Sequence, residues 1–268
     1  MTINDLKIGD RLVLGKYGVH NNQPYPVVWR KCNSNCDFIT EKAIDVLCFD
    51  AAEQIIDDSS RGRRVWGGNQ RYAVSNIFNF LNSESEEWYR PAHNADNPPS
   101  YSSHYGFLYN FNPGEIAVMN MHEYTVGGDS IKSRVRLPSG EDINCDEKTG
   151  FQIFKKIGLR PHPTADICDF RSRPGEYGTP YTETGYINFW LMDPVGPSAE
   201  RVRIISRSGC FAYLNAAESA GVRPVCTLQP ETTVSALDSG VFSVKISASD
   251  EQVFTDKEFF ELLGMAQP

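Results

Sequence analysis

The clearest pattern along the chain is an alternation of apolar and polar residues between positions 186 and 228. Val202 and Ile204 are each preceded by an arginine, which is the period of a strand with one face toward a core and the other toward solvent. A turn-forming segment at 206–209 follows, and residues 211–214 alternate again. The pattern predicts a two-stranded hairpin in the closing half of a β-sheet.

Further strands are predicted in the first part of the chain and near its end. Residues 10–19 and 25–31 are two strand-like runs joined by a polar turn, which predicts an opening hairpin. Shorter strands are predicted at 38–40, 43–47, 135–137 and 241–247.

Helical periodicity is present at four places. Ser75 is a favourable N-cap, and Phe78, Leu81 and Trp88 share one helical face after it. The other predicted helices cover 113–124, 149–157 and the segment from a capping box at 255–258 to Gly264.

Two long segments lack periodicity and are predicted to be loops, residues 91–112 and 160–184. The first contains several aromatic residues, which argue against disorder. Strands, short helices and long loops mixed along the chain indicate an α+β fold, organised as one domain with a C-terminal tail.

Several short motifs stand in a recognisable order along the first 230 residues. They are Leu6-Lys7-Ile8-Gly9-Asp10, Leu14-Gly15-Lys16-Tyr17, Pro26-Val27-Val28-Trp29, Ser75-Asn76-Ile77, Phe80-Leu81-Asn82, Arg136-Leu137-Pro138-Ser139 with Glu141, Trp190-Leu191, and Val222-Arg223-Pro224.

This order resembles an uncharacterised domain family that is frequent in bacteriophage genomes and gut bacteria. That family is similar in pattern to C-type-lectin-like domains of the formylglycine-generating-enzyme type. The resemblance implies a C-type-lectin-like domain over residues 1–230, with small antiparallel sheets, short helices and long loops, followed by a strand-plus-helix extension at 231–268. The chain departs from the pattern at Met192, where relatives often have arginine.

Charge and cysteine usage narrow the function classes. The net charge of -8 argues against general binding of nucleic acid, which requires a basic field. No apolar run is long enough to span a bilayer, and no signal peptide is recognised at the N-terminus. Seven scattered cysteines suit free thiols in a protein made in a host cytoplasm. Virion localisation is consistent with all of these features.

Metal and catalytic motifs are incomplete. Cys32-x-x-x-Cys36 lacks a second pair of ligands for zinc. Asp142-x-Asn144-x-Asp146 matches the start of a calcium loop, which leaves calcium open beside the simpler interpretation of a polar turn. No nucleophile elbow, P-loop or dinucleotide fingerprint is present. We therefore predict no catalytic residues, no metal and no cofactor.

Two sets of residues are predicted to bind a ligand. Aromatic side chains in the first long loop offer large amphipathic contact area, and the alternative is that they pack the loop onto the domain. In lectin-like domains the face near the C-terminus concentrates ligand contacts, so the resemblance implies a second set there. The first set is Tyr101, His104 and Tyr105, and the second is Arg201, Arg203, Arg207, Phe211, Tyr213 and Asn215.

The resulting hypothesis is a non-enzymatic bacteriophage virion protein attached to the tail, baseplate or capsid. Its expected partners are other virion proteins, a host-surface glycan or protein, and further copies of itself in a homo-oligomer. The alternatives are a glycan- or protein-binding module of a bacterial surface and, less favoured, an enzyme on the same scaffold.

Overall fold

A computed structural model of the protein describes residues 1–18, 24–52, 68–91, 98–143, 187–206 and 209–246. Its strands are β1 Arg11–Tyr17, β2 Tyr25–Lys31, β3 Asp37–Thr40, β4 Asp45–Cys48, β5 His122–Val126, β6 Asp129–Ser133, β7 Val135–Arg136, β8 Phe189–Pro194, β9 Arg201–Ile205, β10 Phe211–Asn215, β11 Ser219–Val222, β12 Val225–Thr227, β13 Val234–Asp238 and β14 Val241–Val244. The helices are α1 Asn76–Leu81, α2 Pro113–Ala117 and α3 Gly140–Ile143, with 3-10 turns at Ile3–Asp5 and Tyr72–Val74.

The predicted α+β class is wrong, because β-strands dominate the described residues. The three α-helices there have four to six residues each, which is too short to form a helical layer. The predicted small antiparallel sheets are also wrong. One sheet has seven strands and a second has five, and both contain a parallel pair, β1 with β14 and β11 with β8. The fold is therefore mainly β with mixed sheets.

The seven-stranded sheet has the order β13-β14-β1-β2-β3-β12-β7, and the five-stranded sheet has the order β10-β9-β8-β11-β4. Strands β5 and β6 form a separate hairpin. In β1 the consecutive residues Leu12, Val13 and Leu14 are all buried. Neighbouring side chains of a strand point to opposite faces, so the large sheet is covered on both faces at its centre.

Two tryptophans show how the core is built between the sheets. Trp29 and Trp190 are fully buried, and a buried indole requires an acceptor for its N–H. Trp29 Nε1 donates to Leu14 O at 2.9 Å, and Trp190 Nε1 donates to Leu47 O at 2.8 Å. Each indole thus connects its own strand to another strand through a specific hydrogen bond as well as by packing.

The alternation of apolar and polar residues predicted both hairpins correctly. The opening hairpin is β1 with β2, and the hairpin at 201–214 is β9 with β10. The strand predicted at 241–247 is observed as β14, and it lies parallel to β1 with Arg11 opposite Val241.

Two predicted helices are shorter than expected. Ser75 does cap α1, since its Oγ accepts a hydrogen bond from Phe78 N, but the helix ends at Leu81. Trp88 lies beyond the helix and stacks on Tyr101 with ring centroids 5.3 Å apart. The helix predicted at 113–124 ends at Ala117, and residues from 122 form β5 instead. Apolar residues beyond the two helices are buried by segments that are not helical, and their spacing in the sequence resembles that of a helix.

The first long loop is a core-filling segment over the part that the structure describes. Phe107, Leu108 and Phe111 are buried there, so packing onto the domain accounts for much of its aromatic content. The helices predicted at 149–157 and near 255–264 and the loop at 160–184 lie outside the described residues. Of the helices within them, none has the length and apolar character needed to cross a membrane.

Candidate functional site

The strongest candidate surface is on the β9–β10 hairpin, at one edge of the five-stranded sheet. Phe211 lies opposite Ile205 and Asn215 opposite Arg201 in antiparallel register. Because side chains alternate along a strand, the odd-numbered residues of both strands share one face. We call the following set the Arg–aromatic face: Arg201, Arg203, Phe211, Tyr213 and Asn215.

Each arginine of this face lies over a ring on the neighbouring strand. Arg201 Cζ is 4.8 Å from the centroid of the Tyr213 ring, and Arg203 Cζ is 5.4 Å from the centroid of the Phe211 ring. Both pairs are diagonal across the hairpin, and both distances are within the range of cation–π attraction. Stacking uses the flat side of a guanidinium and leaves the N–H groups at its edge available for a ligand.

The Arg–aromatic face is open to solvent and is positively charged. Tyr213 is 52% exposed, and Arg201 is exposed as well. Among the described residues, no carboxylate forms an ion pair with Arg201 or Arg203. These two positive charges therefore stand out in a chain whose net charge is -8.

The end of β10 is fixed by a local contact, since Asn215 N donates to Glu218 Oε2 at 2.8 Å. The structure thus brings together five of the six residues predicted for the C-terminal set. The sixth, Arg207, lies outside the described residues.

The other predicted set does not form an open aromatic wall. Tyr101 is 1% exposed, and its hydroxyl donates to Cys48 O at 3.0 Å; burial raises the pKa of this hydroxyl well above its usual value. His104 Nδ1 lies 3.3 Å from Asp45 Oδ2. Tyr105 is partly buried beside Tyr109, with ring centroids 4.6 Å apart. Tyr101 is therefore part of the hydrophobic core.

The two predicted sets lie at opposite edges of the five-stranded sheet. His104 contacts Asp45 in β4, which is one outer strand of that sheet, whereas the Arg–aromatic face occupies the other end at β9 and β10. A single small ligand cannot contact both.

Cys32, Cys36 and Asp142 of the incomplete metal motifs are held in local structure, whereas Asn144 and Asp146 lie outside the described residues. Both oxygens of Asp142 accept hydrogen bonds from Arg136, and Asp142 Oδ2 also accepts one from Ser139 N. Burial raises the pKa of Cys32 and of Cys36, which disfavours the thiolate that zinc requires. Within the described residues, no group of three or more His, Cys, Asp or Glu side chains is placed to hold a metal ion.

A cavity of about 620 Å³ lies where β5, α3, β8 and the end of β12 approach one another. Sequence patterns do not indicate it, because its walls come from five separate parts of the chain. The side chains that matter for its chemistry are Tyr124, Arg136, Glu141, Asp142, Met192 and Asp193.

Asp193 lies between this cavity and the Arg–aromatic face. Gly140 N donates to Asp193 Oδ2 at 2.7 Å. A Cβ atom placed on Gly140 would be 3.5 Å from Arg203 Nη1 and 3.7 Å from Asp193 Oδ2, so the arginine and the carboxylate flank the same glycine. Burial raises the pKa of Asp193, although the hydrogen bond from Gly140 and the charge of Arg203 act in the opposite direction.

The raised pKa of Asp193 predicts a specific dependence of stability on pH. The folded protein binds the proton more tightly than the unfolded chain, so this contribution is full below the unfolded pKa and is lost as the pH rises through the folded pKa. Asn at position 193 keeps an acceptor for Gly140 N and cannot ionise. We expect Asp193→Asn to gain stability relative to the wild type as the pH rises from about 4 to 7.

Urea unfolding of both proteins across that pH range measures the difference. Glu231→Gln, at an exposed carboxylate that does not line the cavity, serves as the matched control. A difference between Asp193→Asn and the wild type that stays constant across this pH range would contradict the prediction.

Comparison with known proteins gives one match. A family described as a domain of unknown function, DUF6273, matches residues 39–230. No curated protein and no solved structure matches the chain, so the kinship with C-type-lectin-like domains stays a prediction. The match covers well over half of the chain and includes both β9 and β10 of the Arg–aromatic face. The chain belongs to the DUF6273 family.

Proposed function

We propose that this protein is a non-enzymatic binding protein, and that its Arg–aromatic face contacts a glycan or protein at a host cell surface as part of a bacteriophage particle. The observation that carries this proposal is that Arg201 and Arg203 are held over Tyr213 and Phe211 and form no ion pair with a described carboxylate. An exposed surface with charged and aromatic side chains is suited to binding a partner molecule.

The composition of the face suits recognition. Tyrosine and arginine are among the residue types that most often carry binding energy at interfaces, and rings with few rotatable bonds lose little entropy on binding. The guanidinium groups are positioned beforehand by the rings, which lowers the cost of ordering them when a ligand binds. Arg, Phe, Tyr and Asn side chains supply contact area, charge and hydrogen bonds, and they do not form a nucleophile with an adjacent base.

The virion part of the proposal is supported by the motif order in the sequence, which resembles domains frequent in bacteriophage genomes. Mass spectrometry of purified particles from a lysate of the source host tests it directly, and cryo-electron microscopy then locates the density. Absence of the chain from the particles would remove the virion assignment and leave a bacterial surface-binding module as the remaining hypothesis.

The binding part is tested by substitution on the face. We expect Arg201→Ala and Tyr213→Ala each to weaken binding to host cells by at least about tenfold. The first removes the guanidinium, and the second removes the ring on which it stacks. Binding of the labelled protein to cells, measured as a titration, gives the affinity.

Tyr109→Ala is the matched control, since Tyr109 is 40% exposed and lies beside Tyr105 of the other predicted set. It should bind as the wild type does. Loss of binding in Tyr109→Ala with normal binding in Tyr213→Ala would move the recognition surface to the opposite edge of the sheet.

A further inference from the structure

The cavity beside the Arg–aromatic face has the dimensions of a site for a small ligand. Its volume of about 620 Å³ is within the range of ligand pockets in proteins, roughly 300–1,000 Å³. Strands from different sheets and a helix form its walls, so its shape is set by the fold. One wall is stiffened by the two hydrogen bonds between Arg136 and Asp142.

The charge of the cavity is negative once its internal pairs are counted. Asp142 is neutralised by Arg136. Asp37 is held by hydrogen bonds from Asn33 Nδ2 and Thr227 Oγ1. Three further lining carboxylates, Glu123, Glu141 and Asp193, form no ion pair with a described residue. Of these, Asp193 has the positive charge of Arg203 nearby. A concave surface with excess negative charge concentrates cations.

Asp193 is short of hydrogen-bond partners for a half-buried carboxylate. Gly140 N donates to Oδ2, and the backbone N–H of Asp193 itself also donates to the carboxylate; Oδ1 receives no hydrogen bond from another residue in the part of the chain that the structure describes. Buried carboxylates are ordinarily satisfied by charge-assisted hydrogen bonds. Asp193 lines the cavity, where a bound donor would supply a further hydrogen bond to its carboxylate.

A compact metal ion does not fit this arrangement, because the described carboxylates and histidines are not grouped closely enough to ligate one ion. A larger cation with several N–H donors does not need its acceptors to converge on a point. Tyr124 and Met192 also line the cavity, and an aromatic ring attracts organic cations, while methionine adapts its shape to apolar parts of a ligand.

We infer that this cavity binds a small organic ligand through an ammonium group, with Asp193 accepting from the ammonium and Glu141 providing a second negative charge at the mouth. Amino sugars and aliphatic amines are two classes of small molecule that carry this group. The inference concerns a different site from the Arg–aromatic face and does not depend on the function proposed for that face.

Titration calorimetry with two matched pairs of probes tests the inference on the full chain. Glucosamine is compared with glucose, and 1,4-diaminobutane with 1,4-butanediol, because each pair replaces an ammonium by a hydroxyl. We expect at least one amine to bind at least about tenfold more tightly than its neutral partner, which corresponds to the strength of a charge-assisted hydrogen bond. Preference for glucosamine assigns an amino sugar, and preference for the diamine assigns an aliphatic amine.

Two variants connect binding to the cavity. Asp193→Asn and Glu141→Gln should each weaken the binding of the preferred amine, the first by about tenfold or more, while Glu231→Gln leaves it unchanged. Glu141 is exposed, so its variant reports on charge even if Asp193→Asn perturbs the fold. The inference is overturned if neither amine binds better than its neutral partner, or if both cavity variants bind the amine as tightly as the wild type.

Discussion

Gly15→Ala is expected to lower the free energy of unfolding by about 3–5 kcal/mol, the largest effect of any substitution proposed for this protein. Gly15 lies in β1 with φ at +74°, in the left-handed region that side chains other than hydrogen rarely adopt. A Cβ atom there would lie 2.1 to 2.3 Å from three atoms of the Phe111 ring. Backbone strain and a steric clash in the core therefore add together.

Two further variants separate these causes, and chemical denaturation measures all of them. Gly128 also has a positive φ, of +91°, but has no atom within 4 Å of the position of a Cβ, so Gly128→Ala reports strain alone and should cost about 1 kcal/mol. Adding Phe111→Leu to Gly15→Ala should recover part of the loss by making room. If Gly15→Ala costs no more than Gly128→Ala, the contact of Gly15 with Phe111 does not control stability.

Lys31→Met is expected to destabilise the protein by about 3 kcal/mol, because it removes an ammonium that serves three backbone carbonyls in the interior. Lys31 is 2% exposed. Its Nζ donates to Ile3 O at 2.9 Å, Asn4 O at 3.2 Å and Leu6 O at 2.9 Å. Methionine fills similar space and donates no hydrogen bond, so the N-terminal turn loses its attachment to β2.

Lys245→Met, at an exposed lysine after β14, is the matched control and should change stability by less than about 0.5 kcal/mol. Hydrogen exchange of the Ile3–Asp5 turn gives a local measurement beside global unfolding. Equal stability of the two variants, with unchanged exchange in the turn, would mean that water satisfies the three carbonyls equally well.

Local alternation was sufficient to predict the strands that form hairpins. The pairing of residues 201–205 with 211–215 can be predicted from their own sequence, because each segment has one apolar face and a short turn joins the two. Long-range pairing leaves no such signal. Nothing in the sequence around Val241 indicates that this strand lies beside Arg11.

The helix predictions failed where apolar residues pack without a helix. Trp88 stands at helical spacing from Leu81, yet it reaches the core from an irregular segment and stacks on Tyr101. The spacing of apolar residues reflects which residues are buried, and over a short segment the same spacing occurs in helical and in non-helical chain. The same ambiguity placed an α+β label on a chain whose described part is mainly β.

The candidate sites differ in how far the sequence predicted them. The Arg–aromatic face lies within one hairpin, so its residues could be grouped from the alternation and the resemblance alone. The cavity could not be predicted, since Tyr124, Glu141 and Asp193 come from three distant segments. Only tertiary structure brings them together.

The parallel pairing of β1 with β14 also imposes an order of events during protein synthesis. The edge of β1 that receives β14 stays open until residues near 241 have left the ribosome, and an open edge of an apolar strand invites aggregation. Four strands of the large sheet, β1, β2, β13 and β14, also lie outside residues 39–230. A fragment limited to the family match would lack these four strands and would begin inside β3. It should therefore expose the edge of the sheet that β2 covers in the full chain, and aggregate.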